Sequence, residues 1–472
     1  MTNEILPFRA LHYNTDSVDR IADCLSQPYD VISPELQEEY YARSELNVVR
    51  LILNKEREDD TKQENRYTRA RKHLRRWRER GVLVPSEREA FWIYEQEYSA
   101  PDESRARIRG FIGAVRLQEL DSGSVVPHEK IMKGPLEDRL RLTRETWTQL
   151  ESIWGFYREE SGAVEQVMQE VCADPPLFDT FESVQLRHGE EVVHRLWRCD
   201  KPEHCDAVRH TVGRCPIYIA DGHHRYHTML AFRDEARRHR GGADGPWEYI
   251  SMWLVNASAQ TMTVLPYHRL FGGKDGRAPA ALLDGLSSRF DVRPFGGAEK
   301  DDGGAGLSRR QRLTGWIHTV RRMGEGSPSF GLALRAGTAG AGQAGAGVAL
   351  YTVTLRQPDE YAQESNKHGH SRRWRMLDVN ILNGLVFERI LGLDEAALSA
   401  SRELEYTHSV EEAVTAVESG TSQAAFVMNP TRISDVIALS DQGEVLPRKS
   451  TFFYPKPVSG LVMYPMAETE SV

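Results

Sequence analysis

Five consecutive residues, Asp221-Gly222-His223-His224-Arg225, bring a carboxylate, a glycine, two imidazoles and a guanidinium together directly after the apolar run Tyr218 to Ala220. The spacing predicts a buried strand, a tight turn at Asp221 and Gly222, and a helix that starts at the histidines and runs to about Arg238. A helix start presents free N–H groups and a partial positive charge, which attract anions. Arg225 would add a fork of donors suited to phosphate oxygens. Gly222 would let the backbone come close to a ligand. The two imidazoles could donate to a phosphate or carry a proton near neutral pH. The pattern favours a phosphoryl or carboxylate group at this turn. Two other readings compete with it. Asp221 could be a simple N-cap beside solvated histidines, or Asp221, His223, His224 and His227 could be metal ligands. Adjacent histidines diverge on a helix, and no HExxH or paired-cysteine pattern accompanies them, so no metal site is assigned.

A second concentration is PHEKIMKGPLEDR, which gathers His128, Glu129, Lys130, Lys133, Asp138 and Arg139 on one loop and helix start. A carboxylate beside a histidine and two lysines could abstract a hydroxyl proton while the cations hold phosphate oxygens. A solvated charged loop is the plainer alternative, but Pro127, Gly134 and Pro135 restrict the loop's shape. Weaker candidates are Tyr29 and Asp30 on a proline-defined turn, His268 and Arg269 in LPYHR, and Lys449, Ser450, Thr451 and Lys456 in the tail. An inward Glu95 in FWIYEQEY would need a partner or water. Cys199, Cys205 and Cys215, with His204 and His210 between them, lack zinc spacing. Walker, dinucleotide and nucleophile-elbow motifs are absent.

The elements that must hold these groups are mixed. Ser33 can cap a helix opening at Pro34. NVVRLIL (47–53) reads as a buried strand, and Asn65 to Arg80 as a charged helix ended by Gly81. FWIYEQEY and RGFIGAVRL read as antiparallel strands. A short strand ends at Pro127, a helix follows Pro135 to about Leu150, and SIWGFYRE reads as a strand. A helix over 163–171 and a strand pair through 184–198 precede the central strand and helix. EYISMWLVNAS and MTVLPYHRLF are further strands. Glycine and alanine dominate 295–306 and 337–347, which reads as linker or insertion around an amphipathic piece at 307–322. LDVNILNGLVFERILGL is an apolar helix. Ser409 and Glu412 make a capping-box pair, AAFVMN a strand and RISDVIALS a helix. The expected regions are 1–90, 91–275, a Gly-rich insertion at 276–360, and 361–472.

With 472 residues, the chain is long enough for two or three domains. Its 40% hydrophobic and 27% charged content is globular. A net charge of -9 speaks against nucleic-acid binding. Five scattered cysteines fit a reducing cytoplasm. No signal-like or membrane-length apolar run occurs, so a soluble, cytoplasmic protein is expected.

DGHHR after an apolar strand resembles the ligand loop of the ParB/sulfiredoxin superfamily, in particular that of its free serine kinases. Over nearly its whole length the chain also resembles the bacterial domain-of-unknown-function family 1015, which carries a SpoOJ/ParB-related label. The matching pieces are PFRAL (7–11), QPYDVIS (27–33), NVVRL, YEQEY, RGFIG, PHEK, DRL, IADGHHRY, LPYHR (265–269) and KSTFFYPKPVSGLV. The resemblance implies an α+β fold with a ParB/sulfiredoxin-like core and N- and C-terminal α/β additions. It implies phosphate binding by Asp221, Gly222, His223, His224 and Arg225, with His128, Lys133 and Arg139 assisting. Glu129 matches the kinases' general base, although the stretch between it and the loop is longer here. His223 and His224 join Glu129 as candidate catalytic groups. The implied activity is phosphoryl transfer to or from a small hydroxyl compound such as free serine or phosphoserine. ATP, ADP or pyrophosphate would be the phosphoryl partner, and Asp221 would orient the loop or hold Mg2+ with the phosphates. The alternative that the label suggests is a nucleotide-binding switch or DNA-partitioning protein. The acidic balance and the lack of a helix-turn-helix with a basic face argue against it.

Overall fold

The computed structural model describes the chain apart from residues 1, 102–103, 121, 130–132, 181–190, 273–278, 297–307, 336–346, 366–368, 394–403 and 467–472. The side chains of 133–135 and 279–281 are likewise outside the described set. Two compact units emerge: Met1–Thr263 with Phe453–Val472, and Val264–Phe452. Both mix helices with sheets, so the fold is α/β mixed, as expected.

The first unit is built on a mixed sheet of nine described strands. In chain order these are β1 (Ile5–Leu6), β2 (Phe91–Ser99), β3 (Arg105–Arg116), β4 (Val125–Val126), β5 (Ile153–Tyr157), β6 (Phe178–Thr180), β7 (Val193–Cys199), β8 (Ile217–Asp221) and β9 (Tyr249–Asn256). They pair in the order β4-β8-β5-β9-β3-β2-β7-β6, with β1 antiparallel to β3. Two pairings are parallel, β8 with β4 and β9 with β5. The central strands are near-continuous apolar runs, which suits burial on both faces. Trp154 and Trp253 pack with ring centroids 4.9 Å apart, and both are fully buried. Helices α1 (Pro34–Arg43), α2 (Arg66–Glu79), α3 (Lys133–Thr146), α4 (Ala163–Val171), α5 (Pro202–Val212) and α6 (His223–His239) belong to this unit. Ser33 caps α1 by accepting from Leu36 N, with Pro34 in the first turn. Asn65 and Thr68 form a reciprocal cap on α2.

Several expectations are corrected. The apolar run after Asn47 is a short helix, Val49–Ile52, not a strand. Asn47 Oδ1 accepts from Val49 N, and its Nδ2 donates to the carbonyls of Asp23 and Leu25, which favours a turn. An apolar run this short carries no decisive periodicity. Helix α3 stops at Thr146, short of Leu150. Trp147 has φ 45, and Thr148–Gln149 then pairs with Tyr464–Pro465. The expected strand pair over 184–198 lies partly outside the described residues; β7 begins at Val193.

The second unit is a six-stranded antiparallel sheet. Its strands are β10 (His268–Phe271), β11 (Phe290–Phe295), β12 (Ser329–Arg335), β13 (Val348–Leu355), β14 (Leu404–Thr407) and β15 (Ala424–Met428), in the order β11-β13-β12-β15-β10-β14. Its helices include α7 (Pro279–Ser287), α8 (Arg309–Gly324), α9 (Val410–Glu418) and α10 (Ile433–Ser440), with Asp378–Ile381 continuing as a π-helical stretch, Leu382–Ile390. Alternation along the strands separates two apolar layers. Phe330, Leu332, Leu334 and Phe426 pack toward Leu282, Leu286 and Leu382–Phe387. Ala333, Ala425 and Val427 pack toward Trp316, Val320 and Val414. The region 276–360 is therefore more than an insertion, because β11, β12, β13 and α8 are structural parts of this sheet. Most of the Gly/Ala tracts 295–306 and 337–347 lies outside the described residues, which leave out 297–307 and 336–346. The unit boundary near Thr263 and the return of Phe453–Val472 to the first unit also differ from the four regions expected from composition. Pairing between segments distant in the chain decides both. Among the described residues, no helix is long and apolar enough to cross a membrane.

Candidate functional site

The strand-to-helix turn forms where the residue types predict it. β8 carries Ile217–Asp221 between β4 and β5, and α6 opens at His223. Gly222 between them has φ 97, a left-handed conformation that side chains resist. A Cβ there would lie 2.6 Å from Ile153 Cγ2 and 3.2 Å from Arg225 Nη2. The turn is thus pressed against β5, and any other residue there would be strained and would displace the Ile153 side chain.

Asp221 is the hub rather than an N-cap. Its Oδ2 accepts from Arg225 Nη2 at 2.8 Å, and its Oδ1 lies 2.8 Å from Lys456 Nζ. Lys456 also donates to Asp30 Oδ2 at 2.6 Å. Burial alone would raise the Asp221 carboxyl, but Lys456 and Arg225 outweigh it and hold it below its ordinary value. Arg225 is buried and donates through Nη1 to the Ser152 carbonyl at 3.0 Å. Burial opposes its charge, yet Glu151, Asp221 and Asp30 shift it upward, so it stays protonated. Glu151 accepts from Tyr29 N at 3.2 Å and from Ser459 Oγ at 2.8 Å. The turn at Pro28, the entry to β5, the start of α6 and the chain's tail therefore meet at one place.

The Pro-His-Glu segment reaches the same place. The His128 backbone N–H donates to His223 Nε2 at 3.2 Å, and His128 Nδ1 donates to the Ile219 carbonyl at 2.7 Å. The two rings pack edge to face with centroids 4.6 Å apart. Burial pushes His128 down to about 4 and His223 well below its ordinary value. This corrects one expectation: His223 is a neutral ring whose Nε2 is already accepting, so it does not carry a proton near neutral pH. Glu129 follows His128 and is half-buried, as is His224. Lys133 opens α3, and its side chain is outside the described set. Arg139 is buried, lies 4.0 Å over the Tyr29 ring and donates to the Ile52 carbonyl at 2.7 Å and to Asp138 Oδ2 at 2.7 Å. Arg139 and Arg225 line one cavity of about 50 Å³ with Thr143, Gln149, Glu151 and Thr228. Ligand pockets are roughly 300–1,000 Å³, so this void admits a small group and not a nucleotide.

Mg2+ at Asp221 does not fit this arrangement. Both of its oxygens are engaged by cations, and an ammonium already bridges Asp221 and Asp30. Among the described residues, no group of three or more His, Cys, Asp or Glu is placed to hold a metal ion.

The weaker candidates fall in other places. Glu95 is buried but paired: Arg109 Nε donates to it at 2.7 Å and Arg195 Nη1 at 3.0 Å. His268 Nδ1 accepts from Met428 N in the second unit. Cys205 Sγ donates to the Cys199 carbonyl, while His204 pairs with Glu170. Of the tail candidates, Lys456 reaches Asp221. Glu151, Ser152 and Ser459 were not foreseen. They carry no motif, and only strand pairing and the return of the tail deliver them.

Solved structures with a general likeness include one described as a free serine kinase in complex with AMP, at 13% identity and TM-score 0.32, covering 73% of this chain and 90% of that one. A conserved hypothetical protein from Pyrococcus furiosus is similar at 14% identity and TM-score 0.31, covering 72% and 91%. C-terminally truncated SbnI from Staphylococcus aureus is similar at 10% identity and TM-score 0.32, covering 74% and 86%. A further free serine kinase structure is described as a complex with ADP. No curated protein matches the chain. The family model described as "Protein of unknown function (DUF1015)" matches residues 5–379, most of the sequence and including the whole Asp221–Arg225 turn, and the chain belongs to that family.

Proposed function

We propose that the chain is a phosphotransferase that moves a phosphoryl group between a small hydroxyl compound and a nucleotide or pyrophosphate. Free serine or phosphoserine is the preferred substrate class. The observation that carries this reading is the meeting of two buried cations, Arg225 and Lys456, on Asp221 at the start of α6. Their positions are held by protein carboxylates, so they need no reorganisation when charge develops on a phosphoryl group. The amides of His223, His224 and Arg225 occupy the first turn of α6, where N–H groups lack intrahelical partners and favour anions.

In this reading His224 donates to a phosphoryl oxygen, and Lys456 and Arg225 supply charge. His128 and His223, both neutral, position the Pro-His-Glu segment against the turn. Glu129 accepts the proton of the substrate hydroxyl as that oxygen bonds to phosphorus and the bond from phosphorus to the donor's bridging oxygen breaks, the shortened nucleotide or phosphate leaving with that electron pair; in the reverse direction Glu129 returns the proton to the hydroxyl oxygen. Serine as the acceptor rests on the resemblance of the DGHHR loop to that of the ParB/sulfiredoxin-type serine kinases.

The test is direct. Purified protein is incubated with serine and ATP, ADP or pyrophosphate, with and without Mg2+, and phosphoserine is measured. Turnover with at least one donor is expected. Glu129→Gln and Arg225→Ala should each lower it about a hundredfold or more. Absence of phosphoserine with every donor, together with no phosphate transfer from phosphoserine, would overturn the activity. Wild-type rates in both variants would overturn the site.

A further inference from the structure

The second unit contains a cleft of about 740 Å³ that the proposed phosphotransfer does not use. It lies where β15 runs out into α10, bordered by the end of α8, the start of the Asp378 helix and the residues that lead into β10. The size is that of a small-molecule pocket. Its chemistry is polar and organised in depth. Inside, the half-buried Asp378 accepts from Ser329 N at 3.2 Å and from Asn429 Nδ2 at 3.1 Å. Asn429 Nδ2 also donates to the Ser329 carbonyl at 3.0 Å.

The cations of the cleft are less balanced. At its edge, Arg372 is neutralised by Asp359, and Asp435 is taken by Arg373. Arg269, Arg321 and Arg432 also line the cleft; among the described residues none of them forms a salt bridge, and the charge of Arg432 bears on the Asp378 carboxyl. Arg269 is 3% exposed, and it spends its donors on the carbonyls of Tyr267 and Lys449. A buried guanidinium without a counter-charge is costly; burial pulls Arg269 down to about 10. Arg321 and Arg432 are exposed. Opposing these three are Asp378 and the exposed Glu325, and burial pushes the Asp378 carboxyl up to about 7. A dianionic group is a natural counter-charge for guanidinium groups that line one cleft, and a phosphate monoester carries about 1.5 to 2 negative charges near pH 7.

We propose that this cleft is a second ligand site, which takes a small phosphate monoester bearing a free hydroxyl. Arg269, Arg321 and Arg432 hold its phosphate, and Asp378 hydrogen-bonds its hydroxyl. The site is independent of the phosphotransferase reading, since all its residues belong to the other unit.

The test is calorimetric titration of the full chain with inorganic phosphate, glucose 6-phosphate and AMP. At least one of the two esters should bind more tightly than inorganic phosphate. The double variant Arg321→Ala/Arg432→Ala, altered only at exposed positions, should weaken that binding at least tenfold. Asp378→Asn should weaken the ester and spare inorganic phosphate. Failure of both esters to bind at millimolar concentration sinks the proposal. So does unchanged affinity in the double variant.

Discussion

Asp221 holds two cations with a single carboxylate, and that geometry makes it the most consequential single residue of the first unit. Removing its charge takes a carboxylate partner from both Arg225 and Lys456. Breaking a buried pair costs on the order of 3–5 kcal/mol. Asp221→Asn is therefore expected to lower the urea midpoint by an amount equivalent to about 3 kcal/mol. Lys456→Met in that background should recover part of the loss, because one of the two cations is gone; a double-mutant cycle reads the coupling. A simple sum of the two single effects would show that the ammonium and the carboxylate do not interact. Glu95 makes a similar case away from the turn. It is 2% exposed and bound by Arg109 and Arg195. Glu95→Ala should destabilise by about 3 kcal/mol without changing any phosphoryl-transfer rate, and a changed rate would tie the sheet face to the site.

At the scale of elements, the β8–α6 junction depends on a backbone shape. Gly222 has φ 97 and passes close to Ile153. Gly222→Ala must both strain the backbone and displace the Ile153 side chain. Such strain costs about 1–3 kcal/mol, and the clash adds to it. The variant should melt earlier than wild type and lose activity together with its fold. Gly222→Ala with Ile153→Val should recover part of the stability, and equal melting of the single and double variants would refute the contact. By contrast, Gly81 has open space around it despite φ 67. Its role is to end α2, and Gly81→Ala should cost only about 1 kcal/mol.

Across the whole molecule, buried histidines make stability depend on pH. Burial pushes His73 and His128 down to about 4 and His194 and His268 to about 3, and it lowers His223 well below its ordinary value. In the unfolded chain these groups take up protons near 6.5. The folded state resists them until much lower pH. The unfolded state therefore binds more protons between about pH 6.5 and 4, and stability falls as pH falls through that range. Asp378 acts in the opposite sense. Its folded value of about 7 lies above the ordinary carboxyl value, so its contribution is present at low pH and lost as pH rises toward 7. His12 and His227 are lowered by burial as well, and with these histidines against one aspartate, the thermal midpoint should drop from pH 7 to about pH 4.5. Asp378→Asn should steepen that drop, because it removes the opposing trend. A midpoint that is flat or rising toward acid would contradict the burial of these rings.

Local chemistry alone determined the elements with strong signals. The strand-turn-helix at Asp221–Arg225, the cap at Ser33 and the antiparallel strands β2 and β3 depend on neighbours within a few residues, and each was legible in the chain. The sequence also marked Lys456, Asp30, His128 and Arg139 as groups worth placing, but not as neighbours. Their meeting at Asp221 depends on β8 inserting between β4 and β5, on Glu151 and Ser152 standing at the entry to β5, and on the tail returning to the first unit. Such contacts span hundreds of residues and leave no local period or spacing. The same reason explains the misreadings. Val49–Ile52 is apolar enough for a strand, and Asn47's distant hydrogen bonds turn it into a helix. The composition of 276–360 looks like linker, yet its apolar strands find partners in β15 and one another. Residue types decided what chemistry was available; long-range pairing of strands, which buries apolar faces and satisfies backbone groups together, decided which residues share a site.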